Sequence, residues 1–140
     1  MKNFLIWLVI ALLGFGLFFA VSHVLYSAKP KRVFIGIDAS QATDPHKRSI
    51  SQKLLPWLNQ RYCEYALATN VLNKNHRLVH SWKSVADLGR VMDINMYTDL
   101  PLSAFSEIQE AQEAGEVLIV TTVKNPKDIK LQGAEFILLP

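Results

Sequence analysis

The chain has 140 residues, half of them apolar, with 15 Lys and Arg against 12 Asp and Glu and a single cysteine, Cys63. That length allows one domain plus an accessory segment, and the lone cysteine fits a reducing compartment without requiring one. The net charge of +3 is carried by scattered basic residues, not by a dense basic stripe interleaved with aromatics, so no nucleic-acid partner is expected.

The apolar excess sits at the front. Residues 4–21 carry no charge, and uncharged positions continue to Tyr26. That is about 20 residues or more, enough at about 1.5 Å each to cross a bilayer. The pattern predicts a single-pass membrane anchor over residues 1–27. A cleaved signal peptide is the competing reading, with Lys2 as its basic start and Ala20-Val21-Ser22 as the small residues before a cut; the length of the run favours the anchor. Lys29, Lys31 and Arg32 beyond the helix outnumber Lys2 before it, which leans toward a cytoplasmic domain, with the periplasmic side as the alternative.

Residues 28–31 form a short linker, and Pro30 keeps the anchor helix from continuing into a domain over 32–140. Residues 32–38, with Val33, Phe34, Ile35 and Ile37, have the composition of a strand buried on both faces. Asp44-Pro45 reads as an N-cap followed by proline at the first helical position. The helix after it would bury Ile50, Leu54, Trp57 and Leu58, with Pro56 kinking or ending it. "YCEYALATNV" and "HRLVHSW" can form two further strands around the turn-like "NKN". Residues 84–91 read as a short helix. Residues 101–114 read as a clearer one closed by Gly115, with Leu102, Phe105, Ile108 and Ala111 inward and Glu107, Glu110 and Glu113 on a solvated face. "EVLIVTTV" and "AEFILL" complete the strands. Helices alternating with apolar strands predict an α/β fold: a mostly parallel sheet with helices on both faces, Rossmann-like in type.

Charge is uneven along the chain. Residues 29–90 hold eleven Lys and Arg against four Asp and Glu, whereas residues 91–140 hold three against eight. Two faces of opposite sign are expected, with the membrane-proximal lysines near lipid headgroups. His76 and His80, four apart, lack a Cys or Asp cluster and read as surface or edge residues, not a zinc pair. Cys63 reads as a small core residue.

In a parallel sheet, ligands bind beyond the carboxyl ends of the strands. Asp38 falls there, as do Ser40, Thr43, Thr69, Thr121 and Thr122. One carboxylate with several hydroxyls and water suits an octahedral Mg²⁺; the plainer role for Asp38 is a turn residue that caps a backbone group at the strand end. Nothing in the sequence points to an organic cofactor.

"FIGIDASQA" resembles the opening strand and metal-adhesion motif of von Willebrand factor A-like domains, an apolar strand followed by Asp-x-Ser-x-Ser. "YCEYALATN" is similar to the family's second strand. "YTDLPLSAFSEIQEA" resembles the segment where a threonine precedes a helix, and "EVLIVTTV" stands where an apolar strand ends in Thr-Asp-Gly. The resemblance covers residues 32–139. It implies Asp38 and Ser40 as metal ligands and Thr98 as the loop threonine that reaches the ion. Ala42 stands in place of the third motif hydroxyl and Thr122 in place of an aspartate, so the motif is degenerate. Thr43, one place late, is expected to point elsewhere. The chain stops at Pro140, earlier than a full-length member would, so a minimal or truncated version is expected.

The functional expectation is a membrane-anchored protein–protein interaction module, an accessory or assembly subunit of a larger membrane complex. Its partner-binding rim would comprise Asp38, Ser40, Gln41, Thr43, Thr98, Asp99, Thr121 and Thr122, its partners the lipid bilayer and another protein. The alternative is a Mg²⁺-dependent phosphoryl-transfer or hydrolytic enzyme with Asp38 as nucleophile. That chemistry wants a second aspartate two residues on, where Ser40 stands, and an actin-like phosphate loop would want glycines that do not follow Asp38.

Overall fold

The computed structural model describes residues 2–58, 60–93, 96, 100–124, 131 and 133–140. The chain divides into two compact units, Met1–Pro30 and Lys31–Pro140. The first is one helix, α1 (Lys2–Ala28). It is apolar on every side, without an acidic residue in its first turn or a basic one in its last. A helix of that kind finds its environment in a membrane or a large core, and α1 is long and apolar enough to cross a bilayer. The same length and composition also suit a signal sequence.

The second unit holds β1 (Lys31–Ile37), α2 (Lys47–Leu58), β2 (Cys63–Thr69), β3 (Leu78–Lys83), α3 (Gly89–Met92), α4 (Gln109–Glu113), β4 (Glu116–Thr121) and β5 (Ala134–Leu138). The strands form one mixed five-stranded sheet in the order β3-β2-β1-β4-β5. β1 pairs in parallel with β2 and β4, and β4 with β5, whereas β2 and β3 are antiparallel. The antiparallel edge follows from chain length: residues 70–77 are too few for the dozen or more that a parallel crossover needs.

The central strand is buried on both faces, as its unbroken apolar run requires. Val33, Ile35 and Ile37 join Ile50 and Leu54 of α2 and Val91 of α3 on one side. Phe34 joins Leu102, Phe105, Ile108 and Ala111 on the other. Gly36 is needed for that second layer, since a Cβ there would lie 3.0 Å from the Phe105 ring. The ring takes that space and meets Phe34 edge-on, with the centroids 6.1 Å apart. At the far end of α2, the Tyr65 hydroxyl donates to the Trp57 carbonyl at 2.8 Å.

Several local expectations change. The helix expected over 101–114 is a 3₁₀ segment (Leu102–Glu107), one extended residue, Ile108, and the short α4. Its inward residues Leu102, Phe105, Ile108 and Ala111 recur strictly every three positions. The 3₁₀ segment keeps Leu102 and Phe105 on one face, and the extended Ile108 redirects the chain so that Ala111 of α4 joins the same cluster. The helix expected over 84–91 is only the four residues of α3. Asp44 is not an N-cap; it opens a 3₁₀ turn (Asp44–His46), and its carboxylate pairs with Lys47 at 2.7 Å. Pro56 does not end α2, because it falls in the last turn.

Part of the uneven charge along the chain is paired within the fold. Lys31 pairs with Glu116, Arg32 with Glu113 at 3.1 Å, and Arg77 with Glu107 at 2.9 Å. The basic first half and the acidic last half are thus joined across the fold.

Candidate functional site

The carboxyl ends of β1, β2 and β4 are level, with Ile37 opposite both Thr69 and Val120. The strand order runs from β1 outward in one direction through β2 and in the other through β4. The point where it reverses is where open α/β sheets leave a crevice beyond the strand ends. Asp38 lies at that point, its backbone N–H still donating to the Val120 carbonyl at 2.9 Å.

The Asp38 side chain is only 3% exposed. Its Oδ1 accepts from the Ser40 backbone N–H at 3.1 Å, an Asx turn, and from Asn70 Nδ2 at 3.1 Å. Its Oδ2 accepts from Thr121 Oγ1 at 2.8 Å and from Ser40 Oγ at 3.2 Å. Thr121 Oγ1 in turn accepts from the Val123 N–H at 3.0 Å, so the loop after β4 is held from the same carboxylate. Asn70 Oδ1 accepts from the Ala39 N–H at 2.7 Å, and its Nδ2 also donates to the Leu100 carbonyl at 3.0 Å. One buried carboxylate therefore ties together the ends of three strands and, through Asn70, the segment that leads into Pro101.

Asp38, Ser40 and Thr121 meet here as expected. Thr43 does too, contrary to the expectation that it points elsewhere. The turn closed by Thr43 N–H to the Ser40 carbonyl, 3.0 Å, folds position i+3 back, so that Thr43 Oγ1 lies buried 3.2 Å from Ser40 Oγ. Gln41 is exposed and Thr122 half-buried, and neither side chain takes part in the cluster. Thr98 and Asp99 lie outside the described residues. Thr69 is fully buried, and its Oγ1 has no hydrogen-bond partner among the described residues. It shares the β2 face of Cys63, Tyr65 and Leu67, turned to the core instead of the rim.

Asn70 is the residue that motif reasoning overlooks. The signal was there: it follows β2 directly, one place beyond the Ile37–Thr69 pair and so level with Asp38. His80, read as a surface or edge residue, lies on the edge strand β3 but is buried, 6% exposed. Its Nδ1 lies 2.8 Å from the Ser81 carbonyl, and its Nε2 accepts the Asp87 N–H at 3.1 Å, which makes Nδ1 the protonated nitrogen. Among the described residues, no three His, Cys, Asp or Glu gather where they could hold a metal ion.

The cluster as arranged does not fit Mg²⁺. An ionised carboxylate accepts about four hydrogen bonds, and Asp38 already receives two at each oxygen. Two of the four donors are N–H groups that have no lone pair to offer a cation. Among the described residues the cluster holds one carboxylate, a poor charge complement for an ion that dehydrates reluctantly.

Comparison with family models, with curated proteins and with solved structures finds no match for this chain.

Proposed function

We propose that this chain is a membrane-anchored interaction module, in which α1 spans the bilayer once and the α/β unit, von Willebrand factor A-like in descent, docks on a protein partner as an accessory or assembly subunit of a membrane complex. The observation that carries this reading is the state of Asp38. A nucleophilic or basic carboxylate must present a lone pair to a substrate, and this one is buried with all four acceptor positions engaged. Its work is to set the shape of the loops around it. Those loops carry Gln41, Ala42, Pro101, Val123 and Lys124 on their exposed surface, with Val123 45% exposed. Small apolar side chains beside an amide and a cation suit a protein contact better than a phosphate ester.

The resemblance to the adhesion family is supported by where the "DASQAT" stretch falls: at the carboxyl end of the central strand of a mostly parallel sheet. The cytoplasmic side is favoured by the basic residues after α1.

The test is purification of the full-length chain from its native membrane in mild detergent, beside Gln41→Ala and Val123→Asp variants. The proposal expects a companion protein in fixed stoichiometry with the wild type and its loss with Val123→Asp. Turnover of a generic phosphate ester that disappears in Asp38→Asn would overturn it in favour of the enzyme.

A further inference from the structure

An ion-organised rim needs oxygen lone pairs turned toward one common point. The rim of this unit turns N–H and O–H groups toward that point instead, and they donate to the Asp38 carboxylate. We infer that the rim is assembled without a divalent ion, with the Asn70 carboxamide as the strut between its loops, and that partner recognition is therefore ion-independent. This rests on the reading of the carboxyl edge as a partner-binding rim.

Asn70 Nδ2 bridges two loops with its two hydrogens. One is donated to Asp38 Oδ1 at 3.1 Å and the other to the Leu100 carbonyl at 3.0 Å. Both acceptors are oxygens of the kind a hard cation would bridge. The amide group occupies that bridging place, and it does so while neutral. On its other side, Asn70 Oδ1 receives the Ala39 N–H at 2.7 Å, so every polar atom of the side chain is used. Asn70 is 1% exposed, which puts these bonds out of competition with water.

The hydroxyls complete the same closure. Thr121 Oγ1 and Ser40 Oγ both donate to Asp38 Oδ2, at 2.8 and 3.2 Å, and Thr43 Oγ1 lies 3.2 Å from Ser40 Oγ. A cation entering here would have to turn two hydroxyl hydrogens aside. It would still face the Ser40 N–H and the Asn70 amide, whose positive ends point at the same carboxylate. The charge of Asp38 is thus distributed over four fixed donors, which is a favourable arrangement for one buried carboxylate.

The experiment uses the full-length chain in detergent, treated with excess EDTA or with millimolar Mg²⁺ or Mn²⁺ alone. The inference expects the unfolding midpoint to stay within about 1 °C across these conditions, since a ligand that does not bind the native state does not stabilise it. A rise of about 4 °C or more on adding either ion, absent in Asp38→Asn, would overturn it. In Asn70→Ala, amide exchange at Ala39 is expected to quicken about fivefold or more relative to amides in the middle of β1, with or without Mg²⁺; unchanged exchange there would overturn the role of Asn70. The two readings fail separately. An ion-insensitive midpoint with no companion protein defeats the interaction module and leaves the ion-free hub standing. A companion retained only in Mg²⁺ does the reverse.

Discussion

The two ends of β1 solve the same problem in opposite ways. At its start, Lys31 and Arg32 face Glu116, Glu113 and Glu64, and Arg32 also lies 5.0 Å over the Trp82 ring. These side chains are in contact with solvent: Arg32 is 44% and Glu113 39% exposed. Exposed pairs of this kind contribute about 0–1 kcal/mol each and weaken with salt. At the end of the strand a single carboxylate is enclosed by Asn70, Ser40 and Thr121, and hydrogen bonds to a buried charge contribute about 1.5–3 kcal/mol each. Several charges at one edge therefore matter less to the fold than one charge at the other. Burial and the number of fixed donors decide this, not the amount of charge.

That contrast can be broken most sharply at Asp38. Asp38→Ala strands four donors in a buried site and is expected to lower unfolding stability by about 3 kcal/mol, read from urea denaturation of the full-length chain in detergent. A loss near zero would mean that the hub is decorative. Midway along the strand, Gly36→Ala pushes against Phe105 and should destabilise by about 2 kcal/mol. Thr69→Val, beside the hub but outside its network, is expected to move stability the other way, up by about 1 kcal/mol, because it removes a buried hydroxyl left without a partner. If the variant is destabilised, that hydroxyl is satisfied after all.

The start of the strand sharpens the comparison through pH and salt. The side-chain hydrogen bond that the Lys31 ammonium donates to Glu116 holds it above its ordinary value of 10.5, and burial pushes the Tyr65 phenol above 10.0. Both groups hold their protons more tightly when folded. Their contribution is therefore complete below the unfolded values and is lost as pH rises through the folded ones. Stability should be level up to about pH 9–10 and fall beyond, with a shallower fall in Tyr65→Phe; the same slope in that variant would remove Tyr65 from the account. The smallest effect is expected for Glu113→Gln, below about 0.5 kcal/mol and vanishing in high salt. A salt-independent loss would show that the amino edge is better shielded than its exposure indicates.

Much of the fold could be read from the residues, and the failures have identifiable causes. The strands were legible because runs such as "VFIGI" and "EVLIV" are apolar at consecutive positions, which only a strand covered on both faces needs. The segment from Leu102 to Ala111 differs from one α-helix because its three-residue apolar spacing is met by a 3₁₀ segment at Leu102 and Phe105, the extended Ile108, and then α4 with Ala111. Asp38, Ser40 and Thr121 were placed at one rim by their position after strands. Thr43 departs from expectation because the turn closed by its N–H to the Ser40 carbonyl brings its hydroxyl back onto Ser40 Oγ, and Asn70 matches no motif. Its place depends on register between β1 and β2, which no local pattern states. The pairing of basic with acidic segments was hidden for the same reason, since Lys31 and Glu116 become neighbours only once β1 and β4 lie side by side.

The central claim is that a partner protein is recognised at the carboxyl edge of the sheet, not at its amino edge. It is tested most directly by placing a photo-crosslinking side chain at Val123 in one version of the full-length chain and at Arg61 in another, and irradiating each in its native membrane. Both side chains are exposed, and neither takes part in the hydrogen-bond hub, which Val123 meets through its backbone N–H alone. The account predicts a discrete adduct with one companion protein from position 123 and none from position 61. An adduct from position 61 alone, or none from either, would contradict it.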